Sequence, residues 1–292
     1  MNWANLWRRT GGRVLFALPE SFRWKLSEGL AGLAWSVFRF RRFTLLRNVS
    51  IAFPEKSKEE RIEIVRSSLV YTAFNFFEIL VLPQMNQKFS EAHVILNNIE
   101  HLEAAKAKGK GVLSLCLHIG NGDYSASVLA QMDYEVAIIS KRFKSQFWDK
   151  LWFGLRGAHG VQHIEAHSAR TAFEILKRCK RGGIVAFVLD QFMGRPYGIP
   201  STFFGRATGT AYGLALFAVK TGAPVVPIWT YRDRQTGKIH VCFEPEVAMI
   251  EEADRDEQLR KMTEKYNRVL EQIIAKRPEQ WMWIHRRWKW WE

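Results

Sequence analysis

The chain has 292 residues, enough for one large domain or two small ones. Its 47% apolar content excludes a disordered chain. Its 43 basic against 29 acidic residues, a net charge of +14, point to an anionic partner: phospholipid head groups, nucleic acid or an acidic protein. Trp and Phe are abundant among the Arg and Lys, which suits a membrane–water interface. Cys116, Cys179 and Cys242 form no C-x-x-C pair, so neither a zinc ribbon nor a disulfide framework is indicated. They read as reduced, small core residues of a cytoplasmic protein. No apolar h-region with a cleavage site opens the chain. The uncharged runs 29–38, 67–77 and 207–219 fall short of the ~20 residues that span a bilayer. Attachment is therefore expected from one side.

In chain order, residues 1–45 interleave Trp3, Trp7, Phe16, Trp35 and Phe38 with Arg8, Arg9, Arg13, Arg39, Arg41 and Arg42. That composition predicts interfacial helices whose apolar faces enter lipid and whose cations meet phosphates. Packing of the same helices on the protein itself is the competing reading. Pro54 ends the block, and Ser57-x-x-Glu60 is a capping box. Ile62, Val65, Leu69, Ala73, Phe76 and Leu80 follow at helical spacing, with Asn75 and Glu78 expected at the surface and a cleft-facing position as the competing reading. From Val94 the pattern alternates. Strands are predicted over 94–97, 112–117, 135–140, 184–189, 225–231 and 239–244, and helices over 101–107, 124–132, 146–155, 169–179 and 211–220. Residues 191–209 read as a long loop with unusually apolar Phe203 and Phe204. A charged amphipathic helix over 254–276 precedes a Trp-rich tail. The fold class is α/β: a mixed, mostly parallel central sheet flanked by helices. A helical membrane-docking region, 1–90, precedes one continuous core, 91–292.

The stretch that organises the chemistry is 113–124. An apolar run delivers His118 to the turn Ile119-Gly120-Asn121-Gly122, and Asp123 follows. Five helical residues would set His118 and Asp123 about 140° apart. The two glycines permit a turn that folds the carboxylate back onto the imidazole. A carboxylate that fixes one ring nitrogen leaves the other as a general base. Asp123 as a plain helix N-cap is the bland alternative. Asp190 sits at another strand end, where open α/β sheets bind ligands. His159, His163 and His167 recur every four residues, but Gly157 and Gly160 weaken a helix there, so no metal site is expected. Walker and Gly-x-Ser-x-Gly motifs are absent.

Further motifs join these. They are Asn48-x4-Phe53-Pro54-Glu55, His118-x4-Asp123, Arg142 and Arg156 beyond it, Asp190-Gln191, Phe203-Phe204-Gly205-Arg206, the run 222–227, and the C-terminal stretch 278–289, PEQWMWIHRRWK. In this order and spacing the chain resembles the bacterial lipid A biosynthesis (lauroyl/myristoyl) acyltransferases, within the lysophospholipid acyltransferase superfamily. The resemblance implies transfer of a fatty acyl group from an acyl carrier protein (or CoA) thioester to a hydroxyl of a membrane lipid, foremost a lipid A precursor. It implies work at the cytoplasmic face of the inner membrane, as a peripheral or monotopic protein on an anionic surface, with no cofactor and no metal. His118 would be the general base and Asp123 its orienting partner. Arg156, or backbone amides near Gly120–Gly122, would meet the oxyanion. Arg142, Arg156, Asp190, Arg195, Phe204, Gly205 and Arg206 would contact substrate, Arg142 and Arg195 through phosphates. Asp123 stands where lipid A enzymes carry Glu, which admits a lysophospholipid or another glycolipid or aminolipid as acceptor. A non-catalytic membrane-binding homologue is the competing class. No nucleic-acid reading motif is present.

Overall fold

The computed structural model describes Leu6, Trp7 and residues 10–289. Helices come first: α1 (Gly11–Ala17), α2 (Glu20–Ser36), α3 (Arg42–Ala52), α4 (Lys58–Val81) and α5 (Gln87–His93). The capping box forms as expected. Ser57 Oγ accepts the Glu60 amide at 3.1 Å, and Glu60 Oε2 accepts the Ser57 amide at 2.7 Å. The sheet begins at Val94, with β1 (Val94–Asn97), β2 (Val112–Cys116), β3 (Val136–Ser140), β4 (Gln162–Glu165), β5 (Ile184–Val188), β8 (Val225–Arg232) and β9 (Ile239–Phe243). These seven strands lie in the order β1-β9-β8-β2-β5-β3-β4. β8, β2, β5, β3 and β4 run parallel; β9 is antiparallel to β8 and carries β1 parallel to itself. Between and after them lie α6 (Glu100–Ala107), α7 (Gly122–Gln131), α8 (Gln146–Arg156), α9 (Thr171–Lys180), α10 (Gly213–Thr221) and α11 (Arg255–Lys276).

Each sheet face carries its own core. Leu102, Leu129, Val136, Ile184 and Ile228 pack beneath α6 and α7. Leu115, Val185, Phe187, Ile175, Leu214 and Ile274 pack on the other face, continuous with Leu45, Val49, Val65 and Leu69 of α3 and α4. The central strands read as near-continuous apolar runs because both faces are covered.

Two segments depart from the expectation. β4 forms where a histidine stripe stood out. His159 Nε2 lies 2.8 Å from the Leu82 carbonyl and His163 Nε2 3.0 Å from the Ser140 carbonyl, while His167 stacks near Tyr197. The expected loop 191–209 contains a hairpin, β6 (Gly198–Phe203) and β7 (Arg206–Ala211). Its tip residues, Phe204 and Gly205, have φ +49° and +67°, the positive pair that a two-residue hairpin turn of matching twist requires. Small and polar strand residues hid the alternation.

The N-terminal block packs on the protein more than it was expected to. Trp7 Nε1 donates to the Leu80 carbonyl, Phe16 packs edge-on to Phe89, and Trp35 is buried beneath Arg42. Trp3, Arg8 and Arg9 lie outside the described residues. The exposed apolar stripe of α2 is instead Phe22, Leu26, Leu30, Leu33 and Val37, at spacings of three and four. Beyond it, Phe38 and Phe43 are 75% and 80% exposed beside Arg39 and Arg41, both in the left-handed region. Lys58–Gln84 is the one helical stretch among the described residues long and apolar enough to cross a membrane by length and composition. In this fold it packs against α2, α3 and α8.

Candidate active site

Register, more than sequence proximity, assembles the site. β2 and β5 are parallel partners with Cys116 opposite Val188. Both strands end at that pair, and two residues further along the same offset sets His118 beside Asp190. His118 Nδ1 donates to Asp190 Oδ1 at 2.8 Å, and the His118 backbone amide donates to Asp190 Oδ2 at 2.8 Å. Trp281 Nε1 donates to the same Oδ2 at 2.7 Å. Asp190 is fully buried. Burial works against its charge, but the imidazole and hydrogen bonds of His118 override it and hold the carboxyl well below the usual carboxylate range. An ionised carboxylate only accepts, so the His118 proton sits on Nδ1 and Nε2 keeps its lone pair. Burial pulls the His118 pKa down, yet the Asp190 charge more than offsets this and leaves it raised. Gln191 Nε2 lies 3.3 Å from His118 Nε2 and 3.2 Å from His285 Nε2. Burial, then the charge of His118, lowers the His285 pKa to about 4, so this second ring is neutral at physiological pH.

The turn after His118 is clamped on three sides. Gly120 has φ +56°, and a Cβ there would sit 2.3 Å from the Thr230 carbonyl oxygen, so only glycine fits. Its amide donates to the Gln280 carbonyl at 3.3 Å, and its carbonyl accepts Asn75 Nδ2 at 2.8 Å. Asn121 Oδ1 accepts the Tyr124 amide at 3.1 Å and so caps α7, while its Nδ2 donates to Glu78 at 3.2 Å. Glu78 is itself buried and ion-paired with buried Arg232. Asn75 and Glu78, expected at the surface, are thus the supports of the turn that follows His118. The available signal was two polar side chains three positions apart on an otherwise apolar helix face.

In this structure the Asp123 carboxylate is hydrogen-bonded to Arg156 and not to His118, and Asn121, not Asp123, is the N-cap of α7. Asp123 stands in the first turn of α7, where Oδ1 accepts Arg156 Nε from the end of α8. Helix geometry carries its carboxylate away from the Nδ1 side of the ring, and Asp190 takes the orienting place. Asp190 was expected to touch substrate and is instead sealed behind the histidine. Arg156 lines the cavity described below. Arg142 pairs with Asp149 at 2.9 Å and lies over Phe153. Arg195 is exposed ahead of β6, and Arg206 is exposed at the start of β7. Phe204 and Gly205 form the hairpin tip, with Phe204 against Phe53 and Trp288. Arg142, Arg195, Phe204, Gly205 and Arg206 do not line the cavity.

That cavity holds about 930 Å³ in front of His118. Asn75, Phe76 and Ile79 of α4 form one wall, and Trp152, Phe153 and Arg156 of α8 another. A lobe runs between α7 and the sheet past Ala126, Leu129, Ile138 and Ala186 to Val136 and Ile184, at the far ends of β3 and β5. A polar mouth with a basic imidazole thus opens into a long apolar interior.

The chain matches the family model described as bacterial lipid A biosynthesis acyltransferase over residues 3–290. Among curated relatives, a lipid A biosynthesis acyltransferase of Haemophilus influenzae is 24% identical over 271 residues, covering 93% of this chain and 83% of the relative. A phosphatidylinositol mannoside acyltransferase of Mycobacterium tuberculosis is 25% identical over 220 residues, 72% of this chain and 66% of the relative. The lipid A biosynthesis lauroyltransferase of Escherichia coli is 22% identical over 281 residues, 94% of this chain and 88% of the relative. The whole site lies within the family match, and the chain belongs to the bacterial lipid A biosynthesis acyltransferase family.

Proposed function

We propose that this acyltransferase moves a fatty acyl group from a thioester donor, acyl carrier protein in preference to CoA, to a hydroxyl of a lipid A precursor. The observation that carries the reading is His118 Nε2, held by its Nδ1 bond to buried Asp190 and facing an apolar cavity of about 930 Å³. An alcohol attacks a thioester only as its proton leaves, and Nε2 is the group positioned to take it. Gln191 withdraws its amide from Nε2 as the acceptor hydroxyl enters. The tetrahedral oxyanion meets the first-turn amides of α7 at Gly122 and Asp123, at a positive helix end. The amide of Gly120 is already committed to Gln280. Arg156, held at the cavity wall by Asp123, adds positive charge. The acyl chain occupies the lobe beneath α7, out of water. The thiolate leaves, and His118 returns its proton to it.

The protein docks on the cytoplasmic face of the inner membrane through the α2 stripe and the Phe38–Phe43 turn, with arginines meeting anionic head groups. An acidic carrier protein is drawn to the remaining basic surface. Asp123 and the similarity to phosphatidylinositol mannoside acyltransferases favour a second reading, in which the acceptor is a mannosylated phospholipid.

The test is lipid mass spectrometry of a deletion strain complemented with wild type or His118→Ala. Wild type restores one acyl group to a single lipid class, which names the acceptor. His118→Ala folds but restores none, with transfer down about 10²–10⁴-fold in purified protein. Wild-type turnover by His118→Ala would exclude the mechanism.

A further inference from the structure

The C-terminal strap, residues 280–288, crosses the site, and three of its tryptophans bury their indole N–H groups. A buried indole N–H needs an acceptor. Trp283 donates to the Pro278 carbonyl at 2.8 Å and Trp288 to the Phe203 carbonyl at 2.8 Å, both backbone groups. Trp281 instead donates to a carboxylate oxygen, Asp190 Oδ2. We propose that Trp281 is a positioning residue for transfer, and that its indole N–H locks the Asp190 carboxylate in the plane that holds His118. The inference rests on the general-base reading of His118.

The geometry supports this in three ways. First, Asp190 has two oxygens and three protein donors, with Oδ1 committed to His118 Nδ1. Without Trp281, Oδ2 keeps only the His118 backbone amide. The carboxylate is then held only by the histidine it positions, and no donor outside that pair fixes its plane. Second, the strap is tied to the catalytic turn. Ile119 and Trp281 form an antiparallel bridge, and the Met282 amide donates to the His118 carbonyl at 3.0 Å. Third, the strap is anchored at both ends. Gln280 exchanges hydrogen bonds with the Arg232 backbone. Beyond Trp281, Asn48 Nδ2 donates to the Trp283 and His285 carbonyls, and buried Arg287 binds Thr210 and the Gly209 carbonyl. Trp281, itself fully buried, has no room to relax away from Asp190.

The experiment compares Trp281→Phe with Trp283→Phe. Trp283 is equally buried, packs edge-on against Trp281, and does not touch Asp190. Turnover is read as thiol release from dodecanoyl thioester in the presence of lipid extracted from the deletion strain. The His118 Nδ1 proton is read as a downfield proton resonance, assigned by its loss in His118→Ala. Trp281→Phe is expected to lower kcat by about tenfold or more with little change in KM for the thioester, and to shift or broaden the resonance. Trp283→Phe should keep both. Trp281→His, which keeps a ring N–H at the same bond distance from the backbone, should recover part of the loss, and it carries the test if Trp281→Phe does not fold. Equal losses in the two Phe variants, or wild-type kcat and resonance in Trp281→Phe, would overturn the inference. If His118→Ala itself retains turnover, the general-base reading fails instead, and the two failures are told apart.

Discussion

At the scale of single residues, the His118–Asp190 pair makes a prediction about pH. In the proposed mechanism the reactive form of His118 is neutral, and its pKa is raised above the ordinary histidine value of about 6.5. Turnover should therefore rise with pH, with a midpoint above that value. In Asp190→Asn the largest raising charge is gone, leaving burial and Arg156 against the weaker pull of Asp123, so the midpoint should move to lower pH while the plateau falls. A pH–rate profile of both proteins checks this, and an unmoved midpoint in Asp190→Asn would mean that Asp190 does not set the charge of His118. The stability linkage has the matching signs. The raised His118 contributes stability that is full below its ordinary pKa and lost as pH climbs through the raised one. Asp190, depressed, contributes stability that is full above the carboxylate range and lost as pH falls below it.

At the scale of elements, α4 and α7 frame the chemistry. α4 holds the turn after His118 through Asn75 and through Glu78, which binds Asn121 and pairs with Arg232. Burial lowers the Arg232 pKa, but Glu78 and then Glu20 reverse this and leave it raised, so the guanidinium stays charged. Glu78→Ala leaves that charge with only Glu20 at the edge of the site. Breaking one side of a buried pair typically costs about 3–5 kcal/mol. A denaturant titration should show a loss of this order, together with weaker catalysis as the turn loosens. A loss below ~1 kcal/mol would place Glu78 outside the support. α7 roofs the apolar lobe proposed for the acyl chain, over β5, whose five residues rise about 3.3 Å each, a depth on the order of 15 Å. Ala126→Phe puts a ring into that lobe. The longest acyl chain transferred should shorten, and a chain-length series of thioesters measures it; an unchanged preference would move the acyl chain to the other side of the cavity.

At the scale of the whole molecule, the proposed docking has the excess positive charge and the exposed apolar stripe act on the same membrane surface. Vesicles containing phosphatidylglycerol should float the protein. Flotation should weaken in about 1 M salt, where the screening length shrinks to about 3 Å, but persist because the apolar part is unscreened. Phe38→Ser with Phe43→Ser removes the two most exposed phenylalanines and touches no buried contact. The double variant should keep its melting temperature and lose most of its flotation at high salt. Full retention would shift the apolar contact to the α2 stripe alone. Arg41 and Arg42 are poorer probes of the membrane, since Arg41 also binds the Ile284 carbonyl and Arg42 stacks on Trp35.

Local patterns were sufficient for much of this protein. The alternation after Val94 predicted every strand of the main sheet except β4, because buried parallel strands are apolar runs that need no partner to be recognised. The Ser57–Glu60 capping box was legible for the same reason: both of its bonds join residues three apart. His118 was legible at the end of its strand, since a histidine between an apolar run and a glycine turn stands there wherever the strand lies. What it pairs with was decided elsewhere. Asp190, Trp281, Asn75 and Glu78 reach the turn from 72, 163, 43 and 40 positions away. Strand register, the path of the C-terminal strap and the packing of α4 bring them there, and none of these is a property of any short window. Asp123, five residues from His118, was the nearer carboxylate in sequence. The parallel pairing of β2 with β5 made Asp190 the nearer one in space, because register aligns residues by strand offset, whereas the helix that begins at Gly122 turns Asp123 towards Arg156.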